Sequence, residues 1–156
     1  MFVNILKSLL HNIGVVAVGF AFAFLGTRLD MLFGLHHFES AFATGAAWLL
    51  LLMGFFLRVW ATFEFYRLSM RVIVLVPQNS LITSGPFSFS RNPLYLGGNV
   101  FIFAGASLYL GSPGGLILTV VNIFAVDIMI RREKKQLERN FGEEFIRYKR
   151  RVRRWL

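Results

Sequence analysis

The fold of this chain is decided by residues 93–130, which read PLYLGGNVFIFAGASLYLGSPGGLILTVVNIFAVDIMI. Two apolar runs, residues 93–111 and 113–130, lie on either side of a Gly-Ser-Pro-Gly-Gly turn. Each run has about 18–20 residues, the length at which a helix crosses a hydrocarbon core of ~30 Å. Because so short a turn joins only antiparallel neighbours, the stretch predicts a helical hairpin inside a membrane.

The rest of the chain has the composition of a membrane protein. Hydrophobic residues make up 56% of the 156 positions and charged residues only 16%, too few to cover the surface of a soluble domain of this size. Two further apolar runs occupy residues 9–26 and 41–60. We therefore expect an all-α membrane protein with about four transmembrane helices, which form a single integral-membrane domain over residues 1–156.

The first run has a second interpretation, a signal peptide, because Lys7 precedes an apolar core. The run is short and contains Asn12, but residues 27–30, which read TRLD, do not form a small-x-small cleavage site. We therefore expect residues 9–26 to be a retained span.

Basic residues are distributed unevenly along the chain, whose formal net charge is +9. With four spans and the N-terminus inside, most Lys and Arg residues, including Arg58 and those from Arg131 to Arg154, fall on one side, and only Arg28 falls on the other. This positive-inside pattern places both termini in the cytoplasm, at the inner membrane if the protein is bacterial. The basic residues from Arg131 to Arg154 form a C-terminal tail, which anionic lipid headgroups would attract. Binding to nucleic acid is therefore not needed to explain the net charge.

Metal and thiol chemistry have little support in the sequence. The chain has no cysteine, which excludes disulfides, thiolate metal sites and a cysteine nucleophile. His36 and His37 are adjacent, so their side chains point apart on a regular helix or strand, and a loop explains them better than a metal site. In the same loop, Asp30 and Glu39 balance Arg28, and we expect no chemistry there and no metal site.

The segments around the hairpin complete the organisation of the chain. Residues 72–76 are a β-branched run, expected to be extended and buried, and residues 79–86 are expected to be a loop with a turn at Gly85-Pro86. After the fourth span, apolar residues recur at intervals of three and four positions: Leu137, Phe141, Phe145, Tyr148, Val152 and Trp155. They predict an amphipathic cytoplasmic helix, broken at Gly142. This helix can be an interfacial anchor, a lid over Arg91 and Asn92, or both at once.

The predicted hairpin brings polar side chains together at one membrane face. Asn92 and Tyr95 are three positions apart, so they share a helix face at the start of the third span, and Arg91 precedes them. Asp127 and Glu133 close the fourth span on the same side. We expect a pocket that suits a zwitterionic ligand, while an apolar substrate enters from the bilayer. Asn92 by itself also has a plainer interpretation, the N-cap of the third helix.

Two motifs in the second half of the chain resemble the signatures of a known family. Residues 81–87 read LITSGPF, residues 91–97 read RNPLYLG, and residues 133–152 read EKKQLERNFGEEFIRYKRRV. Together they resemble the isoprenylcysteine carboxyl methyltransferases, whose relatives include bacterial membrane methyltransferases and the phospholipid N-methyltransferases. The resemblance covers about residues 79–155, half of the chain, with both signatures in order around the hairpin.

The resemblance implies an integral-membrane enzyme that binds S-adenosylmethionine without a Rossmann fold. The methyl acceptor would be lipophilic and membrane-embedded: a carboxylate, amine or hydroxyl of a lipid or isoprenoid-type substrate. The catalytic residues implied are Arg91, Asn92, Tyr95 and Glu133. The cofactor contacts implied are Asn79, Ser80, Leu81, Ile82, Phe87, Asn92, Pro93, Leu94, Tyr95 and Glu133. Glu133 would pair with the ribose hydroxyls or the ammonium group, and Asn92 and Tyr95 would hold the methionine end.

Some positions differ in chemistry from the family pattern: Asn92 in place of His, Lys134 in place of Glu, Phe87 in place of Tyr and Met129 in place of an Arg that some members use for a substrate carboxylate. Arg131 or Arg132 could take over from that Arg, and Asp127 could also contact the substrate. The identity of the acceptor therefore stays open.

Two other functions compete with methyl transfer. An NADPH-dependent membrane reductase of the sterol-reductase type has a distantly similar architecture, and the basic tail could hold the 2′-phosphate of NADPH. In a membrane scaffold without enzymatic activity, residues 91–97 would be only a capped helix start. The expected partners are a lipophilic substrate and membrane lipids.

Overall fold

The computed structural model of the protein describes residues 2–70, 72 and 80–156. Helix α1 spans Phe2–Phe33 and α2 spans Ala41–Arg67. A 3-10 turn at Gly85–Ser88 follows. The third helical stretch, residues 93–109, consists of α3 (Pro93–Tyr95), a π-helix (Leu96–Ile102) and α4 (Phe103–Tyr109). Helix α5 spans Pro113–Arg151.

Three of these helices, α1, α2 and α5, are long and apolar enough to cross a membrane, which confirms the all-α membrane protein predicted from composition. They contain the predicted spans 9–26, 41–60 and 113–130 and extend beyond each of them. The third predicted span, residues 93–111, does not reach that length in the structure, because its helical stretch is only about 25 Å long at about 1.5 Å per residue and is interrupted by the π-helix. Of the predicted extended run at residues 72–76, all but Val72 lies outside the described residues.

The helices approach one another through small residues. A Cβ on Gly54 of α2 would lie 2.5 Å from the carbonyl oxygen of Gly97, and a Cβ on Gly26 of α1 would collide with the backbone of Gly115 in α5. In lipid, where burying apolar surface gives no driving force, such close backbone packing holds helices together. These contacts fix both arms of the hairpin, residues 93–109 and α5, against the first two helices.

A polar network joins α1 to α2 inside the bundle. Asn12 is fully buried, and its side-chain amide donates to the hydroxyl of Thr62 at 2.8 Å, while Ser8 and Thr62 share a hydrogen bond. The Asn12 carbonyl oxygen accepts from Nε of Arg58 at 2.8 Å. Because polar groups in a membrane interior are stable only when paired, this network accounts for Asn12 within an apolar span. It also buries Arg58, which the charge pattern alone assigned to the basic side of the membrane.

The turn of the hairpin is closed from α1. Ser112 caps α5 by accepting from the backbone N–H of Gly115 at 2.9 Å. Asp30, which is only 1% exposed, accepts from the backbone N–H of Gly114 at 2.6 Å and from the hydroxyl of Ser112. A carboxylate is stabilised at a helix N-terminus by its free N–H groups and by the helix dipole. The sequence indicated only charge balance for Asp30, whereas the structure gives it this structural role.

The C-terminal part of α5 turns back over the bundle. Gly142 has φ 48° and ψ −124°, so the predicted break of the amphipathic helix there is confirmed. Beyond it, Phe145 and Tyr148 are buried with Val152 against Leu81. The segment after the helix, residues 152–154, lies beside residues 90–92. The tail therefore lies over Arg91 and Asn92. This is the position that the lid interpretation predicts.

Candidate active site

A cavity of about 310 Å³, cavity A, lies where the third helical stretch begins. Its walls come from Phe65 of α2, the loop and helix start at residues 81–95, α5, and Arg154 of the tail. This volume is at the lower end of the range of about 300–1,000 Å³ for small-molecule sites. Helix α2, the hairpin and the tail are distant from one another in the sequence, yet all three contribute to the wall of cavity A.

Most of the sequence-predicted site residues line cavity A: Leu81, Ile82, Phe87, Arg91, Asn92, Pro93, Leu94, Tyr95 and Glu133. Ser80 is exposed and does not line it; its hydroxyl lies 3.3 Å from Sδ of Met70. Asn79 lies outside the described residues. The two sequence motifs thus meet at one cavity.

Tyr95 and Glu133 face each other across the hairpin. The Tyr95 hydroxyl donates to Oε2 of Glu133 at 3.2 Å, so the predicted proximity of these two residues is observed. Tyr95 ends the first helical turn after Pro93, and Glu133 lies on α5 close to Ile130, where the apolar part of that helix ends. A carboxylate can accept about four hydrogen bonds, and Tyr95 occupies one of these positions.

Arg91 presents an unused donor at cavity A. Its Nε is buried and has no hydrogen-bond partner among the described residues, while its backbone N–H donates to the carbonyl of Arg153 at 3.0 Å. Burial lowers the pKa of the Arg91 guanidinium, and nearby Arg154 lowers it further, while Tyr148 and Glu138 oppose the shift. A buried donor without a partner costs about 1–3 kcal/mol, so a ligand with an anionic oxygen would be stabilised there.

Asn92 holds the tail rather than the helix. It occupies the N-cap position before Pro93, but its side chain makes no capping hydrogen bond. Instead, its amide nitrogen donates to the carbonyl oxygen of Arg154 at 2.9 Å. The plainer interpretation of Asn92 as a side-chain cap is therefore wrong, and the residue connects the cavity wall to the C-terminal segment.

The other candidate contacts separate into two groups. Asp127 is paired with Arg131, whose Nε lies 2.6 Å from it, and with Arg154, and it does not line cavity A. Arg131 lines the cavity, whereas Arg132 is exposed and does not. Met129 also lies outside the lining and is 39% exposed. Of the two arginines proposed to take over from the family's Arg, only Arg131 is therefore in place.

Several wall residues were not assigned to the site from sequence: Phe65, Ile130, Leu137, Phe145, Tyr148 and Arg154. Tyr148 is fixed by its hydroxyl, which donates to the carbonyl of Phe87 at 2.7 Å. The signal for three of them was present, because Leu137, Phe145 and Tyr148 belong to the apolar face of the tail helix. That pattern showed a face that is buried, but not what buries it.

A second cavity, cavity B, adjoins the first. It has a volume of about 260 Å³ and shares Phe65, Leu94, Tyr95 and Glu133 with cavity A. The rest of its wall comes from other residues: His11, Val15, Val18, Arg58, Val72, Gly98, Asn99 and Phe103. The Tyr95–Glu133 pair therefore lies in the wall of both cavities. The charge of Arg58 within the apolar run 41–60 was the available signal for cavity B, since an ionisable residue inside a span indicates a site.

The fold and the site define an integral-membrane protein with two adjoining cavities at one end of its helices. A sequence model of the phospholipid methyltransferase family matches residues 42–144. Because this match covers more than half of the chain, the chain belongs to the phospholipid methyltransferase family, and the resemblance inferred from the two motifs is confirmed.

Two curated proteins show local similarity. A phosphatidyl-N-methylethanolamine N-methyltransferase from Saccharomyces cerevisiae is 40% identical over 53 residues, which is 34% of this chain and 25% of the yeast protein. An uncharacterised protein from Haemophilus influenzae is 39% identical over 51 residues, 32% of this chain and 81% of that protein. The similarity thus spans only a quarter of the length of the yeast relative. No solved structure matches the chain.

Proposed function

We propose that this protein transfers a methyl group from S-adenosylmethionine to an amine in the headgroup of a membrane phospholipid. The observation that carries the proposal is the convergence of two distant sequence motifs on cavity A, with Tyr95 and Glu133 in contact at its edge. Family membership supports methyl transfer, and the name of the yeast relative supports a phospholipid amine as the acceptor.

The residues of cavity A fit the proposed cofactor. Arg91, which lines cavity A, suits the carboxylate of a methionine group, because a guanidinium donates strongly to an anionic oxygen. Glu133 suits the ribose hydroxyls or the ammonium group through one of the acceptor positions that Tyr95 leaves free, so that another remains for the methyl acceptor. Phe65 and Phe87, whose ring centroids lie 5.8 Å apart, provide an apolar wall for an adenine ring. The tail supplies the remaining wall through Tyr148.

When bound, S-adenosylmethionine supplies an electrophilic methyl group on a cationic sulfur. The protein's contribution is alignment of the two reactants and exclusion of water, which can account for about 7–11 kcal/mol of a barrier. Cavity B next to Tyr95 and Glu133 provides the second position that such an alignment needs. The tail, held by Asn92 and Tyr148, keeps water from cavity A.

Glu133 is the proposed proton acceptor. The amine of an ethanolamine headgroup is protonated near neutral pH, so it must lose one proton before its lone pair can attack a methyl group, and Glu133 would accept that proton. Glu133 borders both cavities, whereas Asp127 is engaged by Arg131 and Arg154 outside them. A positioned carboxylate typically contributes about 10²–10⁴-fold to such a step.

The orientation and the domain organisation are part of the proposal. The positive-inside pattern supports a cytoplasmic position for both termini and for the mouth of cavity A. All helices contribute to a single integral-membrane domain, in which residues 79–156 form the catalytic half.

The test is a calorimetric titration of the purified protein in detergent micelles with S-adenosylmethionine and, separately, with NADPH. It is paired with an assay of labelled methyl transfer to an ethanolamine phospholipid. We expect S-adenosylmethionine to bind and NADPH not to bind. Binding of NADPH alone would support the reductase, and binding of neither would leave the scaffold.

The contribution of Glu133 is measured with Glu133→Gln and a matched control, Glu138→Gln. Both lie on α5, but Glu138 pairs with Lys149 at 2.6 Å and does not line either cavity. We expect methyl transfer to fall by about 100-fold or more in Glu133→Gln and by no more than about twofold in Glu138→Gln, because a partly exposed ion pair outside both cavities contributes little. Equal activities in the two variants would remove Glu133 from the site.

A further inference from the structure

Cavity B contains a buried cation that has no carboxylate partner. Arg58 is 8% exposed, and none of its nitrogen atoms forms a salt bridge within the part of the chain that the structure describes. A buried charge without a counter-ion is strongly unfavourable, and charged residues in transmembrane segments generally mark a binding or transport site. The burial of Arg58 therefore calls for an anion.

The hydrogen bonds of Arg58 orient it and leave donors free. Its Nε donates to Asn12, and one terminal nitrogen donates to the carbonyl oxygen of Leu94 at 2.7 Å. The other terminal nitrogen lies 3.5 Å from Nε2 of His11. A guanidinium has five N–H groups, so these neutral partners fix its plane while N–H groups on both terminal nitrogens stay free for an anion.

The wall of cavity B is polar at one end and mainly apolar at the other, which suits an amphiphilic ligand. Its charged and polar wall lies at the end of the bundle where the third helical stretch begins, at His11, Arg58 and Glu133. Further along the helices the wall is mainly apolar, formed by Val15 and Val18 of α1 and by Phe103, with Asn99 as a polar exception. Val18 is 58% exposed on the outside of the bundle, so this apolar part adjoins the surface that faces lipid.

We propose that cavity B is the acceptor site and that Arg58 binds the phosphodiester of the acceptor phospholipid, with its amine at Glu133 and its acyl chains along Val15 and Val18. The assignment rests on the proposed function. A guanidinium fits a phosphate better than other side chains do, because it offers parallel donors to two oxygens. The positive Arg58 and the negative Glu133 on one cavity wall match a headgroup that carries both a phosphate and an amine.

The test measures binding rather than turnover. The purified protein in detergent is titrated calorimetrically with dihexanoyl phosphatidylethanolamine and with a phosphate-free amino lipid of the same chain length. We expect Arg58→Gln to weaken binding of the phospholipid at least tenfold and to leave binding of the phosphate-free lipid within about twofold. Glycerophosphoethanolamine, which has the headgroup without acyl chains, distinguishes a lipid from a soluble phosphate. Binding as tight as that of the lipid would overturn the lipid assignment.

A second variant changes the position of the cation without removing it. A Cβ on Gly98 would lie 2.7 Å from a terminal nitrogen of Arg58, so Gly98→Ala displaces the guanidinium while the charge and the helix are retained. We expect it to weaken phospholipid binding by several-fold. The control is Arg28→Gln, which removes an equal charge at the other end of the bundle, and should leave binding within about twofold.

The outcomes separate this inference from the proposed function. Unchanged phospholipid binding in Arg58→Gln and Gly98→Ala, in protein that retains its helical circular dichroism, overturns the inference even if the wild type binds S-adenosylmethionine. Arg58-dependent binding of the phospholipid without methyl transfer overturns the proposed function and leaves the anion site standing. If Arg58→Gln does not fold, Gly98→Ala decides.

Discussion

The two ends of the helix bundle both contain buried polar groups, but they use them differently. At one end, Asp30 accepts hydrogen bonds from Gly114 and Ser112, and the turn of the hairpin is closed around it. At the other end, Nε of Arg91 is buried and has no hydrogen-bond partner in the described part of the chain, and Glu133 lies in the wall of two cavities. Asp30 at the first end finds its hydrogen-bond partners within the chain, whereas Arg91 at the second end keeps a donor unpaired among the described residues.

This difference distinguishes a structural polar group from a functional one inside a membrane protein. Burying a polar group is costly unless it is hydrogen-bonded, so a fully paired group such as Asp30 stabilises the fold. A group that is buried beside a cavity and incompletely paired keeps its binding capacity for a ligand. The comparison predicts that substitutions at the first end lower stability and that substitutions at the second end lower binding.

The largest expected effect on stability comes from Asp30→Ala. It removes two hydrogen bonds to a buried carboxylate, each worth about 1.5–3 kcal/mol, and we expect a loss of about 3 kcal/mol in the free energy of unfolding, measured by denaturant titration in mixed micelles. The affinity for S-adenosylmethionine of the folded fraction should be unchanged. Glu39→Ala removes an exposed carboxylate in the loop that follows α1; it is the control and should change stability by less than about 0.5 kcal/mol. A lower cofactor affinity in Asp30→Ala would contradict the separation of the two ends.

Gly142→Ala should have an intermediate effect, confined to the tail. Gly142 has a positive φ of 48°, and a Cβ there meets no atom within 4 Å, so the substitution introduces backbone strain, about 1–3 kcal/mol, without a collision. We expect the tail to detach more often from residues 90–92, which limited proteolysis would detect as faster cleavage on the C-terminal side of Gly142. We also expect the affinity for S-adenosylmethionine to fall. Gly45→Ala, in α2 with open space around it and an ordinary φ, is the control. Unchanged proteolysis would show that the tail does not depend on this bend.

The smallest effect should come from Tyr95→Phe, which removes only the hydroxyl that donates to Glu133. Because this hydrogen bond orients the Glu133 carboxylate at cavity A, we expect S-adenosylmethionine affinity, measured by calorimetry, to fall by about tenfold at most, and the free energy of unfolding to fall by no more than about 1.5 kcal/mol, the worth of one hydrogen bond to a charged group. Tyr109→Phe, whose ring lies in the other half of the bundle against Phe20 and Trp48, is the control. Wild-type affinity in Tyr95→Phe would remove this pair from the cofactor site.

Much of the second half of the chain could be predicted because its information is local. The turn at residues 111–115 and the break at Gly142 are each encoded by neighbouring residues, and the hairpin then brings Tyr95 towards Glu133. Asn92 shows the limit of this reasoning, since its cap position was predicted correctly but its side chain bonds to Arg154. The competing partner is distant in the chain, and no local pattern reveals it.

The polar residues in the first half of the chain could not be assigned from local patterns, because their partners are also distant in the sequence. From the sequence, Asp30 is typical of a charged residue in a loop, and Arg58 is typical of a charged residue near the edge of a membrane. Their partners, Gly114 for Asp30 and Leu94 for Arg58, lie on other helices. Only helix packing through pairs such as Gly54 and Gly97 decides that these contacts form.

The sequence by itself determined the membrane class, the hairpin and the motifs that meet at cavity A, because hydrophobic length, turn residues and short motifs are properties of adjacent positions. The tertiary structure alone decided which polar groups are paired and which face a cavity. Pairing depends on how closely the helices approach, and that approach is set by packing between residues far apart in the chain. Asp30 and Arg58 are therefore both buried, but only Arg58 lies where a ligand can complete its environment.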